Sequence, residues 1–235
     1  MKGWGEEEDM AGTIVEFSSN GTTASGYLSK PESGKGPGVI VIQEWWGLVD
    51  HIKDVADRFA REGFVALAPD LYHGKTTKSP DEAGKLFMAL NIDRAEKDLR
   101  GAIQFVLAQE QTDGGKVGTV GFCMGGQLSL YAACANPNVG ACTNFYGIHP
   151  NVHPNIAGLQ APVLGIFAEK DGSVTPDAAR KLEAQLKSAG KQTEFHIYPG
   201  VSHAFFNDTR PEVYNEVYAK ESWQRMLKFF RQHLG

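Results

Sequence analysis

The run Val39-Ile40-Val41-Ile42 is apolar at every position, so it has no polar face to turn toward water. A strand of that kind is covered on both sides, as in a parallel sheet flanked by helices. The rest of the chain alternates strand runs with helical spacing. Ile52, Val55, Ala56 and Phe59 mark one helix face, and the strand Phe64-Val65-Ala66-Leu67-Ala68 follows, stopped by Pro69-Asp70. Ser79-Pro80-Asp81-Glu82 carries a helix start, with Ser as cap, Pro in the first position and Glu three residues after the cap. Ala95, Leu99, Ala102 and Val106 keep helical spacing to about Gln109, after a break near Asn91. Gly114-Gly115 closes that helix region, Lys116 to Gly121 is a strand, and Met124 to Ala135 is a helix. Strands are expected over Val139 to Tyr146, Pro162 to Ala168 and Thr193 to Tyr198, with a helix opened by Thr175-Pro176 between the last two. Val213, Val217, Met226 and Phe230 belong to a long terminal helix.

This rhythm predicts an α/β fold, a mostly parallel central sheet flanked by helices. Thr13 to Phe17 and Thr22 to Leu28, joined at Ser19-Asn20-Gly21, add an N-terminal antiparallel hairpin at its edge. With 235 residues and no repeat or linker, one α/β domain over 1–235 is expected, its first twelve residues a flexible acidic lead. A formal charge of −5 with no basic run argues against a nucleic-acid partner. No run approaches the roughly 20 apolar residues of a membrane span, and the first ten residues do not read as an export signal. Three cysteines without metal-like spacing point to a reducing compartment, hence the cytoplasm.

The chemistry concentrates at Gly121-Phe122-Cys123-Met124-Gly125-Gly126, where a predicted strand becomes a predicted helix. A nucleophile elbow turns sharply at such a junction, raising its central side chain above the sheet, and the glycines clear space across the turn. The helix that starts after Cys123 aims N–H groups and a positive dipole end at the sulfur, which favours thiolate. The competing reading makes Cys123 a small buried hydrophobe, the role assigned to Cys134 and Cys142.

A cysteine nucleophile needs a base and a group to orient it. In an α/β-hydrolase fold these follow the nucleophile in the order acid, then histidine, on loops after later strands. Glu169 and Asp171 stand just past one strand, and His203 stands just past the next. Asp171, beside Gly172 at the loop tip, is preferred on reach; Asp177 reads as a first-turn residue of the Thr175-capped helix. Glu44 follows the buried run and precedes Trp45-Trp46-Gly47, on the rim where ligands bind in open α/β sheets. Partial desolvation there would raise its proton affinity and let it take the thiol proton; the plainer role is to accept loop hydrogen bonds. His51 falls near a helix start and His196 in a strand. His149 and His153, interrupted by Pro150, read as a surface loop rather than a metal pair.

The stretches Gln43-Glu44-Trp45-Trp46-Gly47, Ala68-Pro69-Asp70-Leu71-Tyr72, Gly121 to Gly126, Asp171 and Gly200-Val201-Ser202-His203-Ala204-Phe205 together resemble the dienelactone hydrolases, or carboxymethylenebutenolidases, over roughly Thr13 to Leu234. The resemblance implies an eight-stranded α/β-hydrolase core and a Cys-His-Asp triad of Cys123, His203 and Asp171. It further implies that Glu44 manages the thiol proton, that the backbone N–H groups of Trp45 and Met124 form the oxyanion hole, and that no metal or organic cofactor takes part. The expected reaction is hydrolysis of a small activated ester or enol-lactone through a cysteine acyl-enzyme, with monomer and homodimer both open.

One departure concerns the substrate. The best-known members hold a substrate carboxylate with arginines, one of them shortly after the catalytic histidine. Here Asn207 takes that place, and Thr76 to Leu90 contains Lys78 and Lys85 but no arginine. Arg210 and Lys85 are the cations offered from other positions. Trp45, Trp46, Phe205 and Phe206 are expected to line a broad apolar pocket, bordered by Tyr72 and His73. Two rival readings stay open at this level: a general short-chain carboxylesterase or thioesterase, and a non-enzymatic α/β scaffold that binds a ligand.

Overall fold

The protein is represented by a computed structural model, which describes residues 12–32 and 34–235. The acidic lead expected at the N-terminus lies, but for Gly12, outside the described residues. Eight strands form one sheet in the order β1-β2-β4-β3-β5-β6-β7-β8: β1 Thr13–Ser19, β2 Thr22–Ser29, β3 Gly36–Ile42, β4 Val65–Pro69, β5 Thr112–Phe122, β6 Val139–Phe145, β7 Val163–Ala168 and β8 Thr193–Tyr198. The helices are α1 Asp50–Arg61, α2 Pro80–Met88, α3 Ile92–Leu107, α4 Met124–Ala135, α5 Pro176–Ser188 and α6 Glu216–Leu234. β1 and β2 pair antiparallel, as does β2 with β4, and every pairing from β4 through β8 is parallel. The expected α/β architecture and edge hairpin are therefore present. Asn20 and Gly21 turn the hairpin with φ of 47° and 85°, the left-handed pair that matches strand twist.

The continuous run in β3 is explained by its two covers. Val39 and Val41 pack with α1 and α6 residues such as Phe59 and Phe230, while Ile40 and Ile42 pack with Leu99 and Val106 of α3 and Leu128 of α4. Side chains alternate across a strand, so a strand between two helix layers must be apolar throughout. Ser79, Asn91, Thr175 and Asn215 cap α2, α3, α5 and α6 with side-chain oxygens, fixing where each helix begins.

Three boundaries differ from expectation. β5 starts at Thr112 and runs through Gly114-Gly115, which does not close α3; the ladder to β3 skips from Asp113 to Val117, so the glycines sit in a bulge. Asn215 caps the terminal helix, leaving Val213 outside it. A short 3₁₀ turn, Ile156–Gly158, lies between β6 and β7 without a periodic signal to announce it.

The strand order positions the site. From β3 the chain passes outward to β4 on one side and then returns to β5 on the other, so the carboxyl ends of β3 and β5 flank the point where connections diverge. A crevice opens at such a point. Ile42 is in register with Gly121, which puts Glu44 and Cys123 each two residues past a matched pair.

Candidate active site

Cys123 sits between β5 and α4 with φ 54° and ψ −122°. That left-handed backbone costs a non-glycine residue about 1–3 kcal/mol and persists only where the surroundings impose it. Here Cys123 N donates to Phe145 O at 3.1 Å, and its carbonyl accepts from Gly126 N at 2.9 Å and Ile148 N at 3.3 Å. The turn is so tight that a Cβ on Gly121 would stand 1.9 Å from Gly125 O, and one on Gly125 2.3 Å from Ile42 O. Gly121→Ala is therefore expected to cost about 3 kcal/mol or more in urea unfolding, as overpacking against backbone. Gly84→Ala in α2, where a Cβ meets nothing within 4 Å, should be neutral or slightly stabilising in the same measurement.

Two later loops bring an acid and a base to the same rim. Asp171, past β7, accepts from Ser173 N at 2.7 Å and Val174 N at 2.9 Å through Oδ1, and Oδ2 receives His203 Nδ1 at 2.7 Å. Glu169 is engaged elsewhere, accepting from Gly200 N at 2.8 Å, and Asp177 pairs with Arg180 on the exposed start of α5. The histidine thus meets Asp171 and not Glu169. Burial alone would lower the pKa of His203, but the Asp171 hydrogen bond and the facing Cys123 sulfur outweigh it, and the pKa is raised to about 10. With Nδ1 committed to Asp171, Nε2 is the nitrogen left for the sulfur.

Glu44 is 1% exposed and accepts a hydrogen bond from Asn207 Nδ2 at 2.8 Å. Asn207 Oδ1 is itself fixed by Thr209, whose hydroxyl and amide both donate to it. Glu44 lines the same cavity as Cys123, and among the described residues its hydrogen bond is to Asn207 and none joins it to the thiol. Tyr146, expected only as the end of a strand and given no role in the site, packs its ring 4.9 Å from that of His203. Burial first, then Glu44, Cys123 and Asp171, hold its phenol far above the usual value, so it remains neutral.

Cys123, Glu44, His203, Trp45, Trp46 and Arg210 share one cavity of about 430 Å³. The amides of Trp45 and Met124 have no acceptor among the described residues, which leaves both available to a ligand oxygen. Other expected pocket residues lie elsewhere. Phe205 and Phe206 are fully buried beneath the site, with Phe206 stacked 5.0 Å from Phe122, because the β8–α6 loop turns them inward to the core. Tyr72 is also buried, its hydroxyl against Met124 Sδ at 3.3 Å. His73 faces a different groove and contacts Asp98 and Arg94. Lys85 is exposed on α2 and is not among the residues that line the cavity. Asn207 belongs to a neighbouring cleft of about 600 Å³ that meets the first at Trp46 and Arg210. Arg210 lies over the Trp46 ring at 5.9 Å and pairs with Glu212.

The cavity is completed by Phe87, Ile148, Pro150, Ser173 and Ala204, which the sequence reading passed over. Ile148 and Pro150 follow the end of β6, and the rule that ligands sit past strand carboxyl ends would have marked that loop. His149 between them is buried, not on the surface as expected. His51 lies in the first turn of α1 with Asp208 as partner, and His196 lies in β8 beside Glu194. Among the described residues no group of three or more His, Cys, Asp and Glu is disposed to hold a metal, and no helix is long and apolar enough to cross a membrane.

The family model "Dienelactone hydrolase family" matches residues 24–234. The chain is 39% identical over 230 residues to "Protein usf" of Aquifex pyrophilus, covering 95% of this chain and 99% of that one. It is 36% identical over 230 residues to a protein of Aquifex aeolicus described as "Putative carboxymethylenebutenolidase", with the same coverage of 95% and 99%. A crystal structure described as "Putative Dienelactone Hydrolase" from Klebsiella pneumoniae superposes with a TM-score of 0.84 at 32% identity, covering 94% of this chain and 99% of that one.

Proposed function

The chain belongs to the dienelactone hydrolase family of hydrolases, and from that premise we propose that it cleaves a small activated ester or enol-lactone through a Cys123 acyl-enzyme. The observation that carries this reading is the 2.7 Å bond from His203 to buried Asp171, with His203 and the elbow residue Cys123 on one cavity wall. Cys123 Sγ attacks the carbonyl carbon, and the developing oxyanion is held by the N–H groups of Trp45 and Met124. Loss of one such donor costs on the order of 3 kcal/mol in related sites.

The raised pKa of His203 gives it both roles in turn. Before attack Asp171 and the Cys123 sulfur favour the imidazolium, and once the sulfur has added to the carbonyl that imidazolium delivers its proton to the departing enolate or alkoxide oxygen. Once the sulfur is acylated its negative charge is gone, the upward push on His203 falls, and the neutral imidazole takes a proton from water attacking the thioester. Collapse of that tetrahedral intermediate breaks the C–S bond, releasing the acyl group as carboxylic acid and returning Cys123 as thiolate beside the His203 imidazolium. Glu44, buried and tied to Asn207 through Oε2, lines the same cavity as Cys123 and is a second proton acceptor in this scheme.

A general short-chain carboxylesterase is favoured by a separate observation. Trp45, Trp46, Phe87, Ile148 and Pro150 give the cavity an apolar wall, and Arg210 is already paired with Glu212. Comparing kcat/KM for p-nitrophenyl acetate and for a carboxylated dienelactone separates the two. Strong preference for the dienelactone supports the lactonase, preference for the acetate supports the esterase, and turnover of neither sinks both.

A further inference from the structure

We propose that His149 is a positioning residue that ties helix α2 to the nucleophile elbow and thereby holds the wall of the Cys123 cavity in place. The inference rests on the reading of that cavity as the acyl site. His149 is 3% exposed, and both ring nitrogens meet backbone groups whose roles are fixed. Nδ1 faces Asn151 N at 3.1 Å, a group that can only donate, so Nδ1 accepts. Nε2 faces Phe87 O at 2.9 Å, a group that can only accept, so Nε2 carries the proton. These two bonds define one neutral tautomer, and burial, which lowers the pKa of His149, favours that neutral form.

The two ends of this link differ in how firmly they are held. On one side the loop after β6 is fastened to the elbow, by Ile148 N donating to Cys123 O and by Gln127 of α4 donating to Val152 O at 3.2 Å. On the other side α2 buries only Ala83 fully, with Leu86 and Phe87 packed in part against the core. Phe87 lies in its last turn, where its carbonyl takes only a long 3.4 Å bond from Leu90 N among the described backbone amides, and His149 adds a shorter one. The Phe87 ring also packs 4.3 Å from the imidazole. Phe87, Ile148 and Pro150 line the cavity from these two segments, and the His149 side chain joins them.

Two substitutions each preserve half of the link. In His149→Gln the side-chain amide N–H takes the place of Nε2 and can still donate to Phe87 O. In His149→Asn the carbonyl oxygen takes the place of Nδ1 and can still accept from Asn151 N, but nothing reaches Phe87. His149→Asn is expected to raise KM for p-nitrophenyl acetate and speed iodoacetamide labelling of Cys123 about fivefold each, the scale of one lost neutral hydrogen bond, with kcat changed about twofold at most. His149→Gln is expected to stay within about twofold of wild type on both. A role confined to shaping its own loop predicts the reverse order, Asn tolerated and Gln not, and that order, or equal behaviour of the two variants, overturns the proposal. Absence of esterase turnover in the wild-type protein would instead strike the acyl-site reading, while the labelling rates would still decide the tie.

Discussion

Cys123→Ala is expected to lower ester turnover by on the order of 10⁴ to 10⁶, the range seen when a nucleophile is removed from a triad that acts as a unit. The fold should survive. Cys123 is only partly buried, its sulfur lies on the cavity wall, and its backbone is held by Phe145 O, Gly126 N and Ile148 N, none of which depends on the side chain. Circular dichroism and the urea midpoint of the variant should therefore match wild type while turnover vanishes. A folded Cys123→Ala protein with normal kcat would remove Cys123 from the mechanism. The elbow would then be read as packing, despite its φ of 54°.

Asp171→Asn is expected to lower kcat by on the order of 10⁴, because an amide can no longer fix the His203 tautomer and leaves Nδ1–H without its acceptor. The carboxylate accepts three hydrogen bonds, from Ser173 N, Val174 N and His203 Nδ1, and an amide has one oxygen to serve them. A stability loss of about 1–3 kcal/mol should accompany the kinetic effect. The pH dependence carries a definite sign. His203 has a folded pKa raised to about 10 against an ordinary value near 6.5, so its contribution to stability is fully present below about pH 6.5 and is lost as pH rises through about 10. In Asp171→Asn one of the upward causes is gone, so that decline should end at lower pH and be smaller. Urea titrations between pH 6 and 10 read both features. An unchanged profile would show that Asp171 does not govern the charge of His203.

Much of the architecture was legible because secondary structure in an α/β protein is written locally. Ser79, Asn91 and Thr175 announce helix starts by capping chemistry, and the unbroken run of β3 announces a strand with helices on both sides. The missed boundary at Gly114-Gly115 has an opposite cause. Two glycines read as a stop, but β3 offers Asp113 and the segment from Val117 a ladder, and the extra residues are absorbed as a bulge. Phe205 and Phe206 show the same limit in the site. Two aromatic residues beside His203 suggest pocket lining, yet neighbours far away in sequence, Phe122 and Phe145 for Phe206 and Tyr146 for Phe205, give them a dry core to enter.

At the elbow the division is clear. Sequence alone determined that Cys123 stands between a strand and a helix with glycines on either side, because the space for that turn depends on residues within a few positions. It also placed Glu44, Asp171 and His203 past strand ends, since strand boundaries are local. The tertiary structure decided which of these groups meet: Asp171 and not Glu169 takes His203, Asn207 and not Cys123 takes Glu44, and His149 turns inward to Phe87. Hydrogen bonds within about 3 Å join residues 32, 163 and 62 positions apart in these pairs. Contacts of that range are set by loop paths and sheet register, which a local pattern does not encode.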